Sequence, residues 1–120
     1  VALNINNLPE INKNSDADSW LTCVKHLIPA DIEDFTLKLL RKYHGVTQML
    51  VISKIDVPDE SHEDVLESLL ILKGSCRCTI GGKAVVLKEG DYIDIPLHVQ
   101  HNVKVLTPYV VAILQHKAVA

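Results

Sequence analysis

Residues 71–96 read ILKGSCRCTIGGKAVVLKEGDYIDIP. Short apolar runs are cut at close intervals by Gly74, Gly81-Gly82, Glu89-Gly90-Asp91 and Pro96. Gly and Asp supply the backbone freedom that tight turns need, and a Gly-Gly pair between two β-prone runs is a hairpin signal. The runs between the turns are too short for helices and rich in β-branched residues, so each is a strand.

The same pattern extends in both directions. Upstream, TQMLVISKIDV alternates toward Pro58, and LESLLILK alternates through Leu69 and Ile71 into the opening stretch. Downstream, HNVKV and the apolar run after Thr107-Pro108 supply two more strands. Many short strands with Gly and Pro turns predict a β-sandwich or small barrel. Residues 1–45 look different. Asn4 to Ser15 is polar and reads as an extended arm, and Trp20, Cys23, Val24, Leu27 and Ile28 recur at helical spacing before Pro29. Ile32, Phe35, Leu39, Leu40 and Tyr43 share one helical face ahead of Gly45, although Phe35, Leu37 and Leu39 also alternate as a strand would. A helix is the expectation there, which divides the chain into an N-terminal segment (1–45) packed on a barrel (46–120), one domain in all.

Composition excludes several function classes. The chain has 120 residues, is 48% hydrophobic and 22% charged, and carries a formal charge of −3. Lys and Arg are scattered, which argues against a nucleic-acid backbone as partner. No apolar window is long enough for a membrane-spanning helix, and the first residues lack the pattern of a signal peptide. Three cysteines give no disulfide framework, so a cytoplasmic setting is expected.

Two spacings carry a family likeness. His62, four residues, Glu67, six residues and Gly74 form one; Gly90, five residues, Pro96 and then His101 form the other. Together they resemble the two motifs of the cupins, G-x5-H-x-H-x3,4-E-x6-G and G-x5-P-x-G-x2-H-x3-N, with fifteen residues between Gly74 and Gly90. The resemblance covers about residues 47–115 and implies a jelly-roll barrel, also called a double-stranded β-helix. It implies metal ligation by His62, Glu67 and His101. The chain departs from the pattern at Glu60, where the first motif has its leading histidine, and at Lys54, His98 and Val105.

A physical argument for a metal stands beside the resemblance. Glu60 and His62 are two residues apart and point to one side of an extended segment. Glu67 is in phase with Leu69 and Ile71, and His101 with Val103 and Val105. A carboxylate and a histidine in apolar rows need a partner, either a cation or a metal. Glu60, His62, Glu67 and His101 are thus the candidate ligands, suited to Fe, Mn, Zn or Ni. His98 is a candidate for the mouth of the site, as a group behind the ligands or a general base, and equally for a simple turn histidine. Asp59, Glu63 and Asp64 read as solvated acids, Cys76 and Cys78 as packing residues, and His26, His44 and His116 as histidines without a role in the site.

The expected function is a small metal-binding cupin with a small-molecule site in its lumen: a dioxygenase, isomerase or decarboxylase. The alternative is a non-enzymatic ligand-binding or sensor cupin, and a third reading is an interaction module. Cupins often form homodimers, so a second copy of the chain is the expected partner.

Overall fold

The computed structural model describes residues 24–119. Nine strands make up most of it: β1 (Phe35–Tyr43), β2 (Val46–Ser53), β3 (Val57–Glu60), β4 (Val65–Lys73), β5 (Cys76–Ile80), β6 (Lys83–Leu87), β7 (Tyr92–Ile95), β8 (His101–Val105) and β9 (Val110–Ala118). They form two antiparallel sheets. One has the order β1-β2-β9-β4-β7 and the other β3-β8-β5-β6. After β2 the chain passes back and forth between the sheets, which is the winding of a jelly roll.

Turn chemistry explains the strand boundaries. Gly81 and Gly82 both have positive φ, at 56° and 82°, and join β5 to β6 as the Gly-Gly pair predicts. His44 and Gly45, at 44° and 78°, do the same between β1 and β2. Gly74 is needed for two reasons. Its φ is 79°, and a Cβ there would collide with the Tyr109 carbonyl oxygen and the Thr107 hydroxyl.

The expected helix ending at Tyr43 is a correction. Residues 35–43 are strand β1, paired with β2 from Phe35↔Ser53 to Tyr43↔Val46. Barrel strands therefore begin ahead of residue 46, and Gly45 closes a hairpin rather than a helix. A register shift between Leu39 and Arg41 marks a bulge at Leu40. The extra residue lets Leu39 and Leu40 both be buried, which breaks the alternation and imitates helical spacing. Pairing with an apolar neighbour strand then decides the outcome, since short runs are ambiguous in isolation. Of the helix expected before Pro29, only a turn at Val24–Lys25 falls among the described residues; Trp20 and Cys23 lie outside them.

Two cores result, one on each side of the five-stranded sheet. Leu69, Ile71, Cys76, Cys78, Leu87, Ile95, Val110 and Ala112 pack between the sheets. Leu40, Leu50, Ile52, Leu72, Val111 and Ile113 pack on the outer face against Val24, Leu27, Ile28 and Ile32. Strand β9 serves both: Val110 and Ala112 face inward and Val111 and Ile113 outward. A strand covered on both faces reads as a continuous apolar run rather than an alternating one. No helix among the described residues is long and apolar enough to cross a membrane.

Candidate functional site

Strand pairing brings five titratable side chains to one end of the space between the sheets. On one wall Glu60 and His101 are cross-strand partners in the β3–β8 ladder. On the other wall Glu67 and His116 are partners in the β4–β9 ladder. His62 comes from the connection between β3 and β4, and the His62 carbonyl accepts a hydrogen bond from the His98 N–H at 2.8 Å. The four candidate ligands named from the sequence do form a group: one ligand atom from each of Glu60, His62, Glu67 and His101 lies within 4.8 Å of the others.

The distances describe a tight constellation around the carboxylates. His62 Nε2 is 2.8 Å from Glu67 Oε2 and 3.6 Å from Glu60 Oε1. His101 Nε2 is 3.3 Å from Glu60 Oε1 and 3.5 Å from Glu67 Oε1. Yet both Nε2 atoms are buried and neither makes a hydrogen bond. For His101 the reason is chemical. Its Nδ1 is 3.2 Å from the Val99 carbonyl oxygen, which can only accept, so Nδ1 carries the proton. A neutral imidazole then has a bare lone pair on Nε2, aimed at the group. This is the arrangement by which a backbone carbonyl prepares a histidine for a metal. Four donor atoms of N and O type, two of them buried without partners, fit a divalent transition metal.

His116 is the residue that sequence reasoning misses. The sequence places it with the histidines that have no role in the site, but its Nε2 is 2.7 Å from Glu67 Oε2 in a formed hydrogen bond. A signal was present: His116 is in phase with Val110, Ala112 and Leu114, as His101 is with Val103 and Val105. Burial alone would push the Glu67 carboxyl above its ordinary value of 4.5, because it penalises the charged form. The hydrogen bond from His116 and the charges of His116, His62 and His101 outweigh it, and the pKa is lowered. Glu67 is 6% exposed and is held as a carboxylate.

The candidate at the mouth is a correction. His98 is exposed and does not line the cavity. Its φ of 63° is the left-handed conformation that glycine favours, which accounts for the glycine of the motif at this position. Its contact with the site is through the backbone. Asp59, Glu63 and Asp64 are exposed, as expected, and Asp59 accepts a hydrogen bond from Asn102 at 2.7 Å.

Beyond this polar end lies a cavity of about 290 Å³. Leu69, Ile71, Val103 and Val105 line it as expected, while Ile93 and Ile95 pack in the core instead. Phe35 and Ile55 line it and are 44% and 48% exposed, so they stand at its open side.

Comparison with known proteins agrees with the fold. The cupin domain of Cnp3 from Schizosaccharomyces pombe is 15% identical, with a TM-score of 0.67 over 73% of this chain and 67% of that one. KdgF from Halomonas sp. is 18% identical, with a TM-score of 0.68 over 75% of this chain and 84% of that one. TT1209 from Thermus thermophilus is 14% identical, with a TM-score of 0.70 over 79% of this chain and 93% of that one. No curated protein sequence matches the chain. A family profile described as the cupin domain matches residues 48–114, more than half of the chain and nearly all of the strand residues that build the site, and the chain belongs to that family.

Proposed function

We propose that the protein is a metal-binding cupin in which Glu60, His62, Glu67 and His101 hold a divalent transition metal beside a small-molecule cavity. The observation that carries this is the pair of buried Nε2 atoms on His62 and His101 that have no hydrogen-bond partner. A buried polar atom left without a partner is costly, and two of them beside two carboxylates have a common remedy in one cation. Fe, Mn, Zn and Ni all suit such donors. When bound, a metal of this kind polarises an oxygen or activates water or O2, which serves dioxygenation, isomerisation or decarboxylation alike. The chain's own part is positional. The Val99 carbonyl sets the His101 tautomer, His116 orients Glu67, and the apolar walls exclude water.

Elemental analysis of protein purified without a histidine tag tests the reading. Near-stoichiometric transition metal is expected, and its loss in a folded His62→Ala, His101→Ala variant. Metal-free native protein that also fails to take up added metal sinks it.

Binding without turnover is the second reading. It is favoured by the lack of acid–base groups outside the polar end among the described lining residues, whose other side chains are apolar apart from Ser53 and the Cys76 thiol. Turnover of any small molecule by metal-loaded protein would exclude it. We also propose that the chain works as a cytoplasmic homodimer, to be checked by light scattering, with a strict monomer the contrary result.

A further inference from the structure

The His/Glu group accounts for one end of the cavity and leaves the ligand undefined. The rest of the lining is unusual in what it lacks. Among the described residues, none that lines the cavity is Lys or Arg. Anions are recognised foremost by guanidinium, ammonium or clusters of N–H donors, so a phosphate or carboxylate would find no Lys or Arg partner among these side chains. Ser53 offers a hydroxyl, but that hydroxyl donates to the Ile55 carbonyl at 2.7 Å and accepts from the Ile55 N–H at 3.1 Å. It is closed on its own turn. Among the described lining residues, polar recognition therefore falls to Glu60, His62, Glu67 and His116.

The charge at that end points the same way. Two carboxylates and two neutral imidazoles around a divalent ion sum to zero. Had a histidine stood at position 60, the same ion would have left a net charge of +1 to attract an anion. Glu60 removes that attraction.

We propose that the lumen takes a neutral, apolar small molecule that presents an uncharged oxygen to the His/Glu end, and that it discriminates against carboxylates and phosphates. The apolar body lies along Leu69, Ile71, Val103 and Val105 and reaches the open side at Phe35 and Ile55. At about 290 Å³ the cavity sits at the small end of ligand sites, so the molecule is small. This rests on the metal-site reading for the placement of the oxygen and for the cancelled charge; the absence of Lys and Arg from the described lining stands without it.

The test is calorimetric titration at pH 8, on metal-free protein and on protein loaded with zinc. The probes are straight-chain 1-alkanols from butanol to octanol, with octanoate and glucose 6-phosphate as the anionic probes. Affinity for the alkanols is expected to rise by about fourfold per methylene, the increment for burying one such group. In metal-free protein octanoate should bind at least about tenfold more weakly than 1-octanol, because the described lining offers its carboxylate no Lys or Arg to replace the lost hydration. In zinc-loaded protein that preference should narrow but keep its sign. Glucose 6-phosphate should not bind. Val51→Trp, which fills the lumen, should abolish 1-octanol binding. If it does not fold, Phe35→Ala at the exposed side tests the same wall and should weaken 1-octanol binding severalfold. Tighter binding of either anion, or no alkanol binding, overturns the proposal. Zinc content measured on the same samples separates the two readings. Alkanol binding without zinc uptake removes the metal and leaves the apolar lumen. Zinc uptake with a preference for anions does the reverse.

Discussion

His116→Ala is the most informative single perturbation of the site. His116 lies outside the four-residue ligand group but donates from Nε2 to Glu67 Oε2 at 2.7 Å. That bond leaves Oε1 facing His101 Nε2 at 3.5 Å. Removing the imidazole frees the carboxylate to rotate and takes away a hydrogen bond to a charged group, worth about 1.5–3 kcal/mol. Loss of such an orienting partner typically weakens metal binding by about 10- to 100-fold. The assay is competition between the protein and a chromophoric chelator for zinc, with His116→Gln as the control. Gln can place an amide N–H near the position of Nε2, so it should recover much of the affinity. Wild-type zinc affinity in a folded His116→Ala variant would refute the reasoning. Equal loss in the Ala and Gln variants would refute the hydrogen bond as the cause.

The same substitution carries a stability signature with a definite sign in metal-free protein. The Glu67 pKa is lowered in the folded state relative to its ordinary 4.5, against the upward push of burial, by the hydrogen bond and charge of His116 with help from His62 and His101. A group with a depressed folded pKa contributes stability above its unfolded pKa and loses it as pH falls through the folded one. The His116→Ala variant should therefore unfold more easily than wild type at pH 7. The difference should shrink as pH falls below about 4.5, where Glu67 protonates in the unfolded chain. Urea denaturation at several pH values reads this directly. A difference that stays constant down to pH 3 would assign the loss to packing rather than to the ion pair.

Three further outcomes follow from the geometry. Gly74→Ala should lose at least about 2 kcal/mol in urea denaturation, since a Cβ at φ 79° meets Tyr109 and Thr107. His98→Gly should raise stability by up to about 1 kcal/mol by relieving a left-handed backbone, and should leave zinc affinity unchanged because the side chain is outside the cavity. In a Cys23→Ser background, Cys78 should resist a disulfide reagent at pH 8 until the protein is unfolded. Its hydrogen bond with Cys76, added to burial, pushes the thiol far up and withholds the reactive thiolate.

How far the sequence could be read depended on the range of the interaction behind each feature. Hairpin turns at Gly81-Gly82 and the strand breaks at Gly90 and Pro96 are local, so their residues announced them. The phase of His101 with Val103 and Val105 is also local, and in the fold that ring is buried beside Glu60 and Glu67. Strand β1 failed because its bulge at Leu40 is a response to β2; only the pairing shows how two adjacent leucines can both be buried in a strand. His116 failed for a related reason. Its partner Glu67 lies 49 residues away, and the two meet only through the β4–β9 register.

The case of His116 also changes what Glu60 means. By the motif alone, Glu60 subtracts a histidine from the site. In the fold, the site holds three imidazoles after all, but the third is hydrogen-bonded to Glu67 rather than grouped with the candidate ligands. The exchange is therefore one of charge as well as of donors. A carboxylate takes the place of an imidazole at position 60, and an imidazole is added behind the other carboxylate. Both changes favour holding a cation firmly while cancelling its charge. A Glu60→His substitution reverses only the first of them. It should restore the net positive charge of the loaded site, and with it raise octanoate affinity relative to 1-octanol by about tenfold in zinc-loaded protein. Calorimetry on that variant reads the electrostatic argument apart from the shape of the lumen, which the substitution leaves intact at its apolar end. An unchanged ratio would mean that the walls, and not the charge at position 60, set the choice of ligand.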